Sequence, residues 1–334
     1  MSRMTSSISG SSIASAAVVV CAFFFPFYTE DAFVLSLLIP GMIWAAGCMG
    51  WTTIVRTGQF SMGQAGFMTI GGYTSALLAI HFQLPFWVTF FVAGAAAAII
   101  AFLLGTIVLR LGGIFFAIVT LSFAEVIRVF ATNLTITKGS YGLIPPPPTL
   151  DIGSWSVNFA VTKVPYYYVS LLFLILAAIV FWRIDSSRLG RIFRSVSSND
   201  RLSEHLGMHL MKYRVMAFVV AGFFTGMAGA LYCHYLFFMG PTLFGLWESI
   251  MILIMCTVGG VRSAVAGPII GALLLSISGD YLSTLVKGAK PLAFGLLVVF
   301  VVFFLPGGVI DVKRPIQRLF SREKKNAEGL QPSA

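Results

Sequence analysis

RIDSSRLGRIFRSVSSNDRLSEHLGMHLMKYR, residues 183–214, is the one long polar interval between hydrophobic stretches of this chain. It holds seven of the 22 basic residues: Arg183, Arg188, Arg191, Arg194, Arg201, Lys212 and Arg214. Apolar runs of membrane-spanning length flank it on both sides. Lys and Arg resist translocation and collect in cytoplasmic loops, so this interval is expected to face the cytoplasm. Near its end, Leu206-Gly207-Met208 reads as a short helical stretch closed by a glycine. A compact polar helix between two spans is a natural place for a soluble protein to push on a membrane domain.

The flanking sequence is too apolar for a soluble protein. Across 334 residues it is 58% hydrophobic and 10% charged, with mean hydropathy +0.92, whereas ordinary globular domains carry about 25% charged residues. A span needs roughly 20 apolar residues to cross a hydrocarbon core about 30 Å thick. Such runs fall near 8–28, 32–55, 60–81, 85–109, 112–131, 165–182, 213–236, 246–261, 265–284 and 291–307. The expected fold is an all-α polytopic membrane protein of about ten transmembrane helices. It forms one domain over 1–312, followed by a basic cytoplasmic tail, 313–334.

Threading these spans alternately, with 183–214 inside, puts both termini in the cytoplasm. Arg3, Arg56, Arg110, Arg262 and the tail residues Lys313, Arg314, Arg318, Arg322, Lys324 and Lys325 then lie inside. Lys138, Lys163, Lys287 and Lys290 lie outside, together with Glu30, Asp31 and Asp151. This asymmetry is the positive-inside pattern, and an odd number of spans breaks it. The net charge of +10 is explained by topology control and attraction to an anionic lipid bilayer, so no nucleic-acid partner is inferred. Arg3 before an apolar run has the look of a signal peptide. The run ends in Phe23-Phe24-Phe25-Pro26-Phe27-Tyr28 without a small-x-small cleavage site, so a retained first helix is the reading.

Cys21, Cys48, Cys233 and Cys256 have no paired spacing and read as small buried hydrophobes, with neither a disulfide framework nor a metal site. The long external loop, 132–164, contains Tyr141-Gly142-Leu143-Ile144 and four prolines at 145–148. That run favours a stiff extended chain, serving either as a rigid connector or as a dock for an external partner.

The third span opens with GQFSMGQAG, residues 58–66, and continues Gly71-Gly72-Tyr73-Thr74-Ser75-Ala76. Small residues let helix backbones approach closely in lipid, and Ser or Gln can hydrogen-bond between helices. Glycines this dense also permit a break in the helix, which is tolerated only where it lines a cavity or lies within protein. Gln59, Ser61 and Gln64 are candidates to line a solute path; plain close packing is the alternative. A second glycine-rich stretch, Gly259 to Ala272, has similar texture, and an internal inverted repeat is the corresponding expectation.

Charges within spans are costly and usually point into the bundle. Glu125 and Arg128, three residues apart, share a helical face and can neutralise each other. Glu248 lies just inside the eighth span, after Gly240-Pro241. Glu125 and Glu248 are therefore candidates to stand beside the solute path. The four histidines are scattered and suggest no metal site. No Gly-x-x-x-x-Gly-Lys-[Ser/Thr] phosphate loop, Gly-x-Ser-x-Gly or His-Glu-x-x-His occurs. No catalytic residue is proposed, and moving a solute is the simplest task for this chain.

Six stretches, in order, resemble the M-type permease subunit of branched-chain amino acid ABC importers. They are GQFSMGQAGFMTIGGYTSALLA (58–79), GGIFFAIVTLSFAEVIR (112–128), TKGSYGLIPPPP (137–148), GRIFRSVSSNDRLSEHLG (190–207), AGALYCHYLFFMG (228–240) and GGVRSAVAGPIIGA (259–272). The resemblance implies a bacterial inner-membrane permease paired with a second, homologous permease subunit. Two ATP-binding subunits would hold ATP and Mg, with no cofactor in this chain, and an extracytoplasmic solute-binding protein would deliver the solute. It also implies that 190–207 carries the coupling helix, with Asn199, Asp200, Ser203, Leu206 and Gly207 contacting the ATP-binding subunit. Small alanines are usual where Ser203 and His205 stand, and an acidic residue near Ser198.

The function expected is ATP-driven, alternating-access import of branched-chain or related amino acids. The same permease type serves urea and short-chain amides, which remain an alternative. A self-sufficient ion-coupled carrier or channel is the rival from another class, with Glu125, Arg128 and Glu248 as its available relay.

Overall fold

The computed structural model describes residues 21–26, 31–152, 155–159, 162–198, 200–205, 208–285, 295, 299 and 308–309. The expected first span is described only over a helical stretch at 21–26, the expected last span only at 295 and 299, and the basic tail not at all. Asn199, Leu206 and Gly207 also lie outside the described residues.

The long helices are α1 (Ala32–Val55), α2 (Gln64–His81), α3 (Phe86–Val108), α4 (Ile114–Asn133) and α5 (Val164–Ser186). After two short polar helices, α6 (Arg188–Ser198) and α7 (Asp200–His205), come α8 (Leu210–Leu236), α9 (Leu246–Gly259) and α10 (Ala266–Leu285). Six of these, α1, α3, α4, α5, α8 and α10, are long and apolar enough to cross a membrane. The chain is accordingly a multi-pass membrane protein.

The other two expected spans in the described region are different. α2 has 18 residues and begins only at Gln64, because 59–63 is not helical. α9 has 14 residues, about 21 Å of helix, too short for a hydrocarbon core of roughly 30 Å. The spans expected at 60–81 and 246–261 are observed as shorter helices, each starting after an unwound, glycine-bearing segment, as the glycine density at 58–66 allowed for the first. The polar interval after Trp182 is also no loop. α5 continues to Ser186, and α6 and α7 fill most of the remainder. The all-helical expectation has one small exception, an antiparallel hairpin in the external loop that pairs Thr149–Ile152 with Trp155–Asn158.

Alternation of the helices gives the bundle two distinct ends. Arg56, Arg110, Asp185, α6, α7 and Arg262 lie at or beyond the helix ends on one side. The other carries the proline run, which shares a surface cavity with Gln83, Leu84 and His234. There the backbones of Leu143 and Met239 exchange hydrogen bonds of 2.7 and 2.8 Å.

Packing between helices uses small residues, because lipid supplies no hydrophobic drive to press helices together. A Cβ placed on Gly71 of α2 would lie 2.0 Å from the Gly226 carbonyl oxygen of α8, and one on Gly229 would lie 2.1 Å from the Met68 carbonyl oxygen. Only hydrogen fits at these crossings. Phe67, Phe116 and Phe218 fill the adjoining space between α2, α4 and α8. Cys48, Cys233 and Cys256 are buried as expected, whereas Cys21 is exposed.

Candidate functional site

Two regions hold the residues singled out above: the polar elbow at the basic end and the interior where α2 and α9 begin.

The elbow is amphipathic. α6 buries Gly190, Phe193 and Val196 and exposes Arg191, Arg194 and Ser198. Asp185, at the end of α5, forms ion pairs with Arg56 from the end of α1 and Arg194 from α6. The other terminal amino group of Arg56 donates to the carbonyl of Arg262, in the turn between α9 and α10. Gly58 has φ +78°, and a Cβ there would lie 3.3 Å from Cα of Ser197, so the chain after α1 passes close beneath α6. Ser203 of α7 is 1% exposed, its hydroxyl 3.4 Å from that of Ser195. It therefore packs α7 onto α6 and presents no surface. Asp200 opens α7. The Asp185–Arg56–Arg194 cluster thus joins the elbow to the ends of α5 and α1 and, through Arg56, to the α9–α10 turn.

In the interior, Gln59, Ser61 and Gln64 are all buried. The Trp51 indole donates to the Ser61 carbonyl at 2.6 Å and holds the unwound segment in place. Gln64 Oε1 accepts the Thr225 hydroxyl at 2.9 Å, and Thr225 stands near the middle of α8, so α2 starts at mid-bundle. There it meets the start of α9. The Ala65 amide donates to the Ser249 hydroxyl at 3.2 Å, and the Thr69 hydroxyl donates to the Phe244 carbonyl at 3.4 Å. Gln59 Oε1 and Gln64 Nε2 have no hydrogen-bond partner among the described residues. Unpaired buried amide groups are expensive, and they mark this junction as polar space within an apolar bundle. Gly259, Gly267 and Gly271 form the tight α9–α10 elbow.

Glu248 belongs to this region. Its Oε2 accepts the Gly245 amide at 2.7 Å and caps α9. It also lines a cavity of about 280 Å³ with Trp44, Tyr232, Trp247, Ser276 and Asp280. Glu125 stands apart from that cavity: on α4, its side chain is 43% exposed in this chain and accepts from Arg128 Nε at 2.9 Å. Of the five path candidates, Gln59, Ser61 and Gln64 are buried in or next to the unwound segment before α2, and Glu248 caps α9 and lines a cavity with residues of α1, α8 and α10.

Sequence reasoning missed Asp280, although a lone carboxylate inside an apolar run was available as a signal. Arg56 was legible only as a topology charge, and Asp185 was not singled out at all. Thr225, Ser249 and Ser276 carry no signal in a single sequence, because Ser and Thr are common in spans. Among the described residues, no group of three or more His, Cys, Asp or Glu is arranged to hold a metal ion.

Residues 33–306 match the sequence pattern of the branched-chain amino acid transport system permease component family. The high-affinity branched-chain amino acid transport system permease protein LivM of Salmonella typhimurium is 31% identical over 333 residues, covering 93% of this chain and 78% of the relative. Escherichia coli LivM is also 31% identical, over 91% and 76% of the two chains. The guanosine ABC transporter permease protein NupQ of Bacillus subtilis is 24% identical over 60% of this chain and 67% of its own length. No solved structure matches the chain.

Proposed function

The chain belongs to the permease family of branched-chain amino acid ABC transport systems, and we propose that it is the translocating subunit of an importer for branched-chain or related amino acids in the bacterial inner membrane. A second permease subunit completes the path, and two ATP-binding subunits bind ATP and Mg. An extracytoplasmic binding protein delivers the solute.

The observation that carries this reading is the pinned elbow. ATP binding closes the partner subunits against α6, α7 and residues 199–207. The Asp185–Arg56–Arg262 connection passes that motion to α1, α5 and the α9–α10 turn. The unwound starts of α2 and α9, with Gln59, Ser61, Gln64 and Glu248, supply the mid-bundle polar surface that a solute crosses. Broken helices at such depth are how many transporters expose backbone and polar groups to cargo.

The test is uptake by the reconstituted importer with its binding protein. Radiolabelled leucine is expected to accumulate only with ATP. Gly207→Trp is expected to leave ATP hydrolysis running without uptake. Leucine uptake driven by a proton gradient without ATP identifies an ion-coupled carrier instead. The similarity to a guanosine permease favours a second reading of the substrate, a nucleoside. Competition by excess guanosine but not by valine or isoleucine supports it, and competition by urea or acetamide supports the amide alternative.

A further inference from the structure

Glu125 and Arg128 form an ion pair on α4, and in this chain their side chains are 43% and 31% exposed. Glu125 lies about 16 Å along α4 from its start at Ile114. That is roughly half the depth of a 30 Å hydrocarbon core. Ionised side chains at such depth almost always face protein or a water-filled cavity, because hydrocarbon solvates neither charge. α4 is also the least buried of the six apolar spans. Ile118, Ser122, Glu125 and Val129 succeed one another at intervals of four, three and four residues, so they share one face. Ile118, Ser122 and Val129 are exposed on it. The open faces of the neighbouring spans differ. Ile99 and Phe102 on α3, and Leu176 and Ile179 on α5, are exposed, and neither 86–108 nor 164–182 contains Asp, Glu, Lys or Arg. Those faces suit lipid; a face with an ion pair and a serine does not.

The reverse side of α4 meets the unwound segment before α2. The Met62 amide donates to the Thr120 hydroxyl at 3.0 Å, and a Cβ on Gly66 would lie 2.9 Å from Cα of Ala124. α4 is thus the wall between the segment that carries Gln59 and Gln64 and whatever covers its open side. The described ends of the first and last expected spans stand on other helices. Ala22 and Phe23 accept hydrogen bonds from Tyr167 and Tyr168 of α5, and a Cβ on Gly308 would lie 2.4 Å from Cα of Gly260, just after α9. ATP-binding subunits and an extracytoplasmic binding protein lie outside the bilayer and cannot reach the middle of a span. The occupant is therefore a membrane-embedded chain.

We propose that the Ile118–Ser122–Glu125–Val129 face of α4 is where the second permease subunit packs, with polar groups of that subunit meeting the Glu125–Arg128 pair at mid-membrane depth. The inference rests on the reading above that a second, homologous permease completes the path, and it names the surface. Ser122 is small enough to let a partner backbone approach closely, as interfaces in lipid require. The unwound start of α2 then lies one helix away from the boundary between the two permeases.

The test is photocrosslinking in the complete importer in its membrane. Ile118 and Val129 are replaced, one at a time, by p-benzoylphenylalanine, with Leu176 replaced in the same way as the lipid-facing control. Adducts are identified by mass spectrometry. Positions 118 and 129 are expected to capture the second permease, and position 176 to capture none of it. Independently, Ser122→Trp is expected to lower the amount of second permease that copurifies by about fivefold or more, the lower end of an overpacking cost, whereas Leu176→Trp leaves it unchanged. Capture of lipid, of another segment of this chain or of a second copy of it in place of the second permease overturns the proposal, as does full retention in Ser122→Trp. A second permease that copurifies but crosslinks only elsewhere overturns the surface and leaves the importer reading intact. ATP-driven uptake by a complex without a second permease overturns both.

Discussion

Asp185 and Arg56 are 129 residues apart in sequence and form an ion pair that joins the end of α5 to the end of α1. The same carboxylate oxygen takes a hydrogen bond from Arg194 of α6, and Arg56 also donates to the Arg262 carbonyl. One carboxylate thus organises four segments at the basic end, and its surroundings are only partly open to solvent.

Asp185→Ala leaves two guanidinium groups without their shared acceptor. The expected cost is about 1–3 kcal/mol, the usual loss when a charged donor loses a partner in a partly buried site. Thermal unfolding of the purified importer measures it. Leucine uptake per ATP hydrolysed is expected to fall more steeply than stability, and exchanging the charges as Arg56→Asp with Asp185→Arg is expected to recover part of both. Full coupling in Asp185→Ala would show that the elbow transmits force by another route.

Gly71→Ala places a methyl group 2.0 Å from the Gly226 carbonyl oxygen. Backbone has to move, and overpacking of this kind costs about 1–3 kcal/mol. A matching change at Gly112, where a Cβ meets nothing within 4 Å, is expected to stay within roughly 0.5 kcal/mol of wild type. Unfolding temperatures of the two variants, compared side by side, check the α2–α8 crossing.

Orientation is testable with single cysteines in a Cys21→Ala background. Tyr141 is 91% exposed at the end away from the elbow, and Ser198 is exposed on α6. An impermeant thiol reagent applied to spheroplasts is expected to label Tyr141→Cys at once, and Ser198→Cys only after permeabilisation. The reverse pattern would turn the bundle over and remove the elbow from the ATP-bearing side.

Gln64→Leu removes a buried amide whose nitrogen has no partner among the described residues and leaves the Thr225 hydroxyl without its acceptor. These effects oppose each other, so unfolding is expected to shift by less than about 1 kcal/mol. Uptake is expected to fall at least tenfold, since the amide belongs to the mid-bundle polar surface. Undiminished uptake would reduce Gln64 to a packing residue.

The residues differ in how visible they were. Gln59, Ser61 and Gln64 announced themselves as polar groups among glycines in an apolar run, and Glu248 as a charge inside one. Asp280 had the same kind of signal but only one position to show it. Glu125 had the signal and is paired with Arg128, its side chain 43% exposed in this chain, because a span charge says nothing about which side of its helix has neighbours. The unwound start of α2 was readable as glycine density and that of α9 as the Gly240-Pro241 pair, but their meeting through Ala65 and Ser249 was not.

Hydropathy and charge order are local, additive properties of the chain, and they alone dictated that it enters a bilayer with its arginine-rich elbow on one side. Which distant residues share a space is decided by helix crossings, and those depend on how closely glycine backbones approach one another. That is why Glu248 and Asp280 meet over one cavity, and Asp185 meets Arg56, only in the folded bundle. A membrane-embedded charge is located by sequence, while its partner and its purpose are assigned by the packing around it.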